Sequence, residues 1–304
     1  MNKNYRGFAF AALALASCAA LAAPVGIASG QPTGTNYPMV EDIKKVCSAP
    51  GSPINNNVSD GSLDNLFKIY GDKNSQYAVV QADALVYQQG QDKKMMDRIL
   101  TVFPFFSTEI HLVAKDGSPI NSLADLQGKR VVEGPEGSGT WVTVQVIKAL
   151  TGVTWQPFFA SQQDGFNAVM SNQADAEFIV AGKPIGMLTK ASGFKLVPLK
   201  NPKLDEFKLY TKTMISTGSY ASQKTAVQTY KVDNVLATYA FKNQYQKEIG
   251  DLVTCITKNI GRLQTEPGFH EKWKDVDPLD IQRIDWPTHP AALSAIQREA
   301  KARK

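Results

Sequence analysis

The stretch KRVVEGPEGSGTWVTVQVIKAL, residues 129–150, is where the architecture can be read most directly. Lys129–Glu133 is a strand. Gly134-Pro135-Glu136-Gly137-Ser138-Gly139 is a tight glycine-rich loop. Thr140 to Leu150 is a helix, with Gly152 past its end. Upstream, Ser122 and Asp125 form a capping-box pattern that opens a short helix, Leu123–Gln127, stopped by Gly128. Downstream lie a helix over Asp164–Asn172 and a strand over Ala176–Val180. Strands alternating with helices predict parallel α/β sheets.

The N-terminal half echoes this unit. Val25–Ala28 is a buried strand that runs into the loop Gly30–Gly34 and a helix from Asn36 to Cys47. Gly34-Thr35-Asn36-Tyr37 and Gly139-Thr140-Trp141 each place Gly, Thr and an aromatic at a helix N-terminus after a strand. The polar segment Ser48–Asp60 reads as a surface loop, and Ser62 as the cap of the next helix. Tyr77–Val80 is a strand ending at Gln81-Ala82-Asp83, followed by a helix to Gln89. Ile99–Phe103 and Glu109–Ala114 read as two strands around Pro104. The echo predicts two similar lobes facing each other.

Composition excludes several classes. The 304 residues include 33 basic and 28 acidic side chains, with 43% hydrophobic and 20% charged residues, as in ordinary folded proteins. The net charge of +5 is mild and no block of five like charges exists, so a nucleic-acid partner is not expected; the basic tail Arg298–Lys304 reads as a solvated chain end. Lys3 and Arg6 precede an apolar run from Phe8 to Ala23 that ends in Ala20-Leu21-Ala22. That is the layout of a signal peptide, residues 1–22, and implies export to the periplasm. Lipidation at Cys18 is the alternative. With Cys18 gone, Cys47 and Cys255 remain, and in an oxidising compartment they read as a disulfide; two buried free thiols are the alternative.

The candidate site follows from the two loops. Glycines let backbone N–H groups converge, and the helix that follows adds its positive end, an arrangement suited to a carboxylate or phosphate. Gly139 directly precedes Thr140, so the Lys of a Walker A loop is missing. A plain strand-to-helix turn fits equally well. Gln81 and Asp83 end an apolar strand, where ligands sit in open α/β sheets. Gln81 can bond an amide or carboxylate; Asp83 can take an ammonium group or merely cap its helix. Tyr37 and Trp141 can wall a pocket or belong to the core. His111, His270 and His289 have no metal-ligand spacing, and no nucleophile elbow or cysteine–histidine pair is present. No catalytic role, metal or cofactor is expected.

Gly34-Thr35-Asn36-Tyr37-Pro38, Gly61–Leu66, Tyr77–Asp83, Ser122–Arg130 with Gly134–Thr140, Asp175–Pro184, Ile215–Tyr220 and Lys272-Trp273 together cover nearly the whole mature chain. In order and spacing this succession resembles the TAXI-type solute-binding proteins that serve TRAP transporters. The resemblance implies an α/β, two-lobed periplasmic binding protein (type II-like), each lobe a mixed sheet flanked by helices. Lobe one would be 23–106 plus 216–304 and lobe two 107–215, joined by two crossing strands. It implies capture of a small organic anion (an amino acid such as glutamate or glutamine, or a 2-oxo or dicarboxylic acid) by cleft closure. Delivery would be to a TRAP permease, with an ABC importer or a sensor kinase as the alternative partner. Carried over by position, the ligand contacts are Gly34, Thr35, Tyr37, Gln81, Asp83, Ser138, Gly139 and Thr140, with Trp141, Gly182 and Tyr220 beside them. Asn36, Trp141, Lys183 and the enlarged segment Ser48–Asp60 depart from the family pattern and leave the ligand open.

Overall fold

The computed structural model describes residues 24–49, 52–72, 74–240 and 245–302. The expected signal segment 1–22, with Cys18, lies outside the described residues. The chain runs β1 (Val25–Ala28), α1 (Asn36–Cys47), β2 (Ile54–Asn57), α2 (Ser62–Gly71), β3 (Tyr77–Gln81), α3 (Ala82–Gln91), a single turn α4 (Lys93–Met96) and the long β4 (Ile99–Lys115). Then come a 3-10 turn (Leu123–Leu126), β5 (Arg130–Val132), α5 (Gly139–Thr151), β6 (Gln156–Phe158), α6 (Gln162–Met170), β7 (Ala176–Ala181), α7 (Gly186–Thr189), β8 (Phe194–Leu196), α8 (Pro202–Glu206) and β9 (Tyr210–Ile215). The long β10 (Val227–Tyr239), α9 (Gln246–Thr265), two 3-10 turns and α10 (Pro290–Ala302) complete it.

These strands form one sheet in the order β2-β1-β3-β10-β4-β7-β5-β6, with β8 on β4 and β9 on β10. The parallel pairing expected from strand–helix alternation is present in both wings: β1 with β2 and β3, β5 with β6 and β7. The centre is different. β4 and β10 run antiparallel to each other and to their neighbours, and they are long enough to belong to both wings. Ile99–Pro104 of β4 pairs with the end of β10 that also holds β3, whereas Glu109–Ala114 pairs with β7. The register slips between Asp233 and Val235, opposite Pro104–Ser107. Proline lacks an N–H for the ladder, and a bulge absorbs that loss without ending the strand.

Three sequence expectations need correction here. Pro104 does not separate two strands; it lies inside β4. The segment Ser48–Asp60 is not all loop: β2 forms there as an edge strand, anchored by buried Ile54. Its asparagines, read as turn residues, bond sideways instead, Asn56 to the Tyr37 carbonyl and Glu41, and Asn57 to the Asn74 carbonyl and Ser75 Oγ. The cap of α2 is Gly61 rather than Ser62, because the backbone there sits at φ 118°, a conformation L side chains rarely adopt. The basic tail continues as the last turns of α10 as far as Ala302. The 3-10 turn carries the expected capping box of Ser122 and Asp125.

One cluster joins Val142 of α5 to Leu63, Leu66 and Val80, and besides it each wing has a core of its own. One gathers Ile27, Met39, Val79, Phe103, Phe105, Ile256 and Trp273 between α1, α9 and α10. The other gathers Ile110, Leu112, Val131, Val144, Ile147 and Phe178 beneath α5. Cys47 at the end of α1 and Cys255 within α9 form the disulfide, with Cα atoms 5.9 Å apart. It ties the first helix to the last third of the chain.

Candidate ligand-binding site

Between the wings lies a cavity of about 130 Å³. Five helices begin at its wall. Thr35, Gly61, Gln81, Ser138 and Ser161 are the N-cap residues of α1, α2, α3, α5 and α6, and all five line it. Ser138 Oγ accepts from the Trp141 N–H and Ser161 Oγ from the Asp164 N–H. The caps of α1, α2 and α3 make no such side-chain bond, but the Leu63 N–H of α2 is taken by the Gly137 carbonyl and the Asp83 carboxylate accepts from the leading amides of α3. Among the described residues lining the cavity there is no Lys or Arg, and Asp60, at the exposed rim, is the one charged group. Its carboxylate accepts from Gln31 Nε2 at 3.1 Å. Five helix ends, each equivalent to roughly half a positive charge, therefore face the cavity, and three of them, those of α2, α3 and α6, carry an aspartate in the first turn, Asp64, Asp83 and Asp164.

The glycine loop is shaped to bring α5 there. Gly134 and Gly137 sit at φ 77° and 79°, which lets the chain reverse tightly between β5 and α5. Below it, buried Glu133 accepts from Trp155 Nε1 at 2.6 Å, from Gln145 Nε2 at 2.9 Å and from Lys148. The side chain of Thr140 accepts the Val180 N–H at 3.1 Å, locking the first turn of α5 to β7. Gly139 is required by contact: a Cβ there would stand 1.7 Å from Gln81 Oε1.

The two walls touch directly. The Leu63 N–H donates to the Gly137 carbonyl at 3.2 Å, and the Gly182 N–H to Thr35 Oγ1 at 3.1 Å. Gln81 Nε2 donates to Thr143 Oγ1 at 3.1 Å. Asp83 Oδ2 accepts from Thr143 at 2.6 Å and Tyr210 at 3.0 Å. Buried Lys272 pairs with buried Glu109 at 3.0 Å and reaches Asp275 at 2.7 Å. Hydrogen bonds and one buried ion pair join the two walls.

Of the residues expected at the site, Gly34, Thr35, Gln81, Ser138, Gly139 and Thr140 line the cavity. Tyr37, Asp83, Trp141, Gly182 and Tyr220 do not. Asp83 is sealed beneath Gln81, fully buried, and burial pushes its carboxyl up to about 6 against the pull of its hydroxyl donors. Tyr37 is half-buried, its carbonyl taken by Asn56. Trp141 packs edge-on against Tyr87, 5.7 Å between ring centres. Gly182 serves the contact to Thr35. The Tyr220 hydroxyl accepts the Ile185 N–H and donates to His111 Nε2 at 2.8 Å, since His111 Nδ1 faces the Glu109 carbonyl. Asp60, Ser161, Gln162, Thr108 and Asn234 also line the cavity and were not anticipated. Ser161 with Asp164 carries a capping signal that could have revealed it. Thr108 and Asn234 sit inside β4 and β10, with no local signature.

The sequence profile of one family matches residues 27–295, nearly all of the described chain. The chain belongs to the NMT1-like family. This NMT1-like protein shares its two-lobed α/β fold with periplasmic binding proteins of known structure. One is AbpA of Streptococcus pneumoniae, an amino acid ABC transporter substrate-binding protein bound to L-arginine. The two are 13% identical, over 84% of this chain and 96% of that one, with a TM-score of 0.53. The periplasmic binding protein BugD is 11% identical over 92% and 94%, with a TM-score of 0.54. XAC2383 from Xanthomonas citri, bound to ATP, is 10% identical over 92% and 98%, with a TM-score of 0.52. Among the described residues, no helix is long and apolar enough to cross a membrane.

Proposed function

We propose that this NMT1-like protein is an extracytoplasmic solute-binding protein that captures a small organic anion and closes over it. The observation that carries this reading is the convergence of five helix N-termini on a small cavity without basic side chains. An anion there would be held by backbone N–H groups and by the Thr35, Ser138 and Thr140 hydroxyls. The lobes, 23–106 with 216–304 and 107–215, would hinge at the register slip of β4 and β10, a closure of the domain type. The wall-to-wall bonds would form as the ligand arrives.

Export through segment 1–22 and handover to a membrane transporter complete the proposal. The TAXI resemblance points to a TRAP permease, whereas AbpA is named for an ABC transporter, which favours an ABC importer as the partner. The test of the site is a thermal-shift screen of refolded, ligand-stripped protein against carboxylates, amino acids, phosphates and sulfonates. Saturation at about 100 times the dissociation constant adds roughly 2.7 kcal/mol. A shift with one class of anions supports the reading; a response to cations or uncharged solutes alone would replace it.

A further inference from the structure

Asn234 lies in β10 directly opposite Gln81 of β3, so the two side chains leave the sheet on the same face, and both line the cavity. Asn234 is fully buried. Its Nδ2 donates to the Phe106 carbonyl at 3.1 Å and to Thr108 Oγ1 at 3.3 Å. Thr108 spends its own proton on the Val232 carbonyl, so it accepts from Asn234. These partners fix the amide: a flipped side chain would set its oxygen against the Phe106 oxygen. Oδ1 is left as an acceptor with no donor. Among the described residues lining the cavity, it is the buried side-chain oxygen in that state.

The walls supply donors, from helix N-termini and hydroxyls; the floor supplies an unfilled acceptor. An occupant that completes both must be an anion that brings its own hydrogen-bond donor. An ammonium group would also supply a donor, but the carboxylates near the cavity are committed elsewhere, Asp83 to Thr143 and Tyr210, Asp164 to Ser161 and Asp64 to Lys68, and Asp60 is at the rim, so desolvation opposes a cation that has no carboxylate to pair with. A neutral hydroxyl meets no such opposition. We infer that the ligand is a hydroxycarboxylate, its carboxylate on the helix ends and its hydroxyl donating to Asn234 Oδ1; this rests on the anion-binding reading above. A 2-oxo acid would present a carbonyl oxygen to Oδ1, two acceptors face to face, and leave the buried acceptor unpaired.

The experiment is calorimetry of the purified protein with matched pairs: lactate and pyruvate, 2-hydroxyglutarate and 2-oxoglutarate, with acetate and sulfate as anions lacking a donor. The expected result is a preference of about tenfold for the hydroxy member of each pair that binds, from the cost of an unpaired buried acceptor. In Asn234→Ala the ratio should fall to within about twofold, whatever happens to the absolute affinities. The wild-type comparison stands even where the variant does not fold. Equal affinity within pairs, a preference for the 2-oxo member, or binding confined to acetate and sulfate overturns the inference and leaves the anion site intact. Failure of every anion overturns both readings together.

Discussion

Thr140 does two jobs with one oxygen. It accepts the Val180 N–H, and its own proton is free for an occupant of the cavity it lines. Thr140→Ala should therefore weaken anion binding by about 0.5–1.5 kcal/mol, while Thr140→Ser should restore it, both read by calorimetry. Asp83, also expected at the site, acts on stability instead. Its folded carboxyl, raised to about 6 by burial, keeps a proton that the unfolded chain releases from roughly pH 4 upward. Its contribution is thus fully present below about pH 4 and declines as pH rises to 6. His111, held down at about 4 by burial, works in the opposite sense, because the unfolded chain takes up a proton that the folded state refuses. The wild-type curve is therefore flatter than either group alone would make it. Comparison with Asp83→Asn isolates the carboxyl. From pH 6 to pH 4 the stability difference should move in the wild type's favour by on the order of 2 kcal/mol, measured by urea unfolding. Parallel curves for the two proteins would show that Asp83 titrates normally.

At the scale of elements, the loop between β5 and α5 is the part whose chemistry was legible and whose placement was not. Gly134, Gly137 and Gly139 announced a tight turn into a helix, and Thr140 announced its first turn. That Gly139 would meet Gln81, from a strand 58 positions earlier, required the folded chain. Gly139→Ala puts a methyl onto Gln81 Oε1, and Gln81 is pinned by Thr143 and buried. The substitution should cost closure about 1–3 kcal/mol, appearing as weaker ligand binding. Gln81→Ser in the same chain should recover part of the loss, a non-additivity that a double-mutant cycle would detect. Additive losses would mean the two residues do not meet on closure. The same distinction explains Thr108 and Asn234. Both lie mid-strand, where neither turn chemistry nor helix capping marks a residue, and only the pairing of β10 with β3 and β4 carries them to the cavity.

For the whole molecule, the Cys47–Cys255 disulfide closes most of the chain into one loop, with a sequence separation of 208. It joins α1 to α9 on one wing and does not cross to the other. Cys47→Ser should lower stability by about 2–4 kcal/mol in denaturant unfolding and leave ligand affinity nearly unchanged. A large loss of affinity would place the bridge in the closure mechanism instead. The strands and helices of the glycine-loop unit, the capping box, the two cysteines and six cavity-lining residues follow from the sequence alone, because hydrophobic periodicity, glycine and capping chemistry act over a few neighbouring residues. The antiparallel centre of the sheet, the continuity of β4 through Pro104, the burial of Asp83 and the arrival of Asn234 on the cavity floor were decided only by tertiary structure. Each depends on which distant strand lies alongside, and a strand's partner is set by packing across the whole sheet rather than by its own residues.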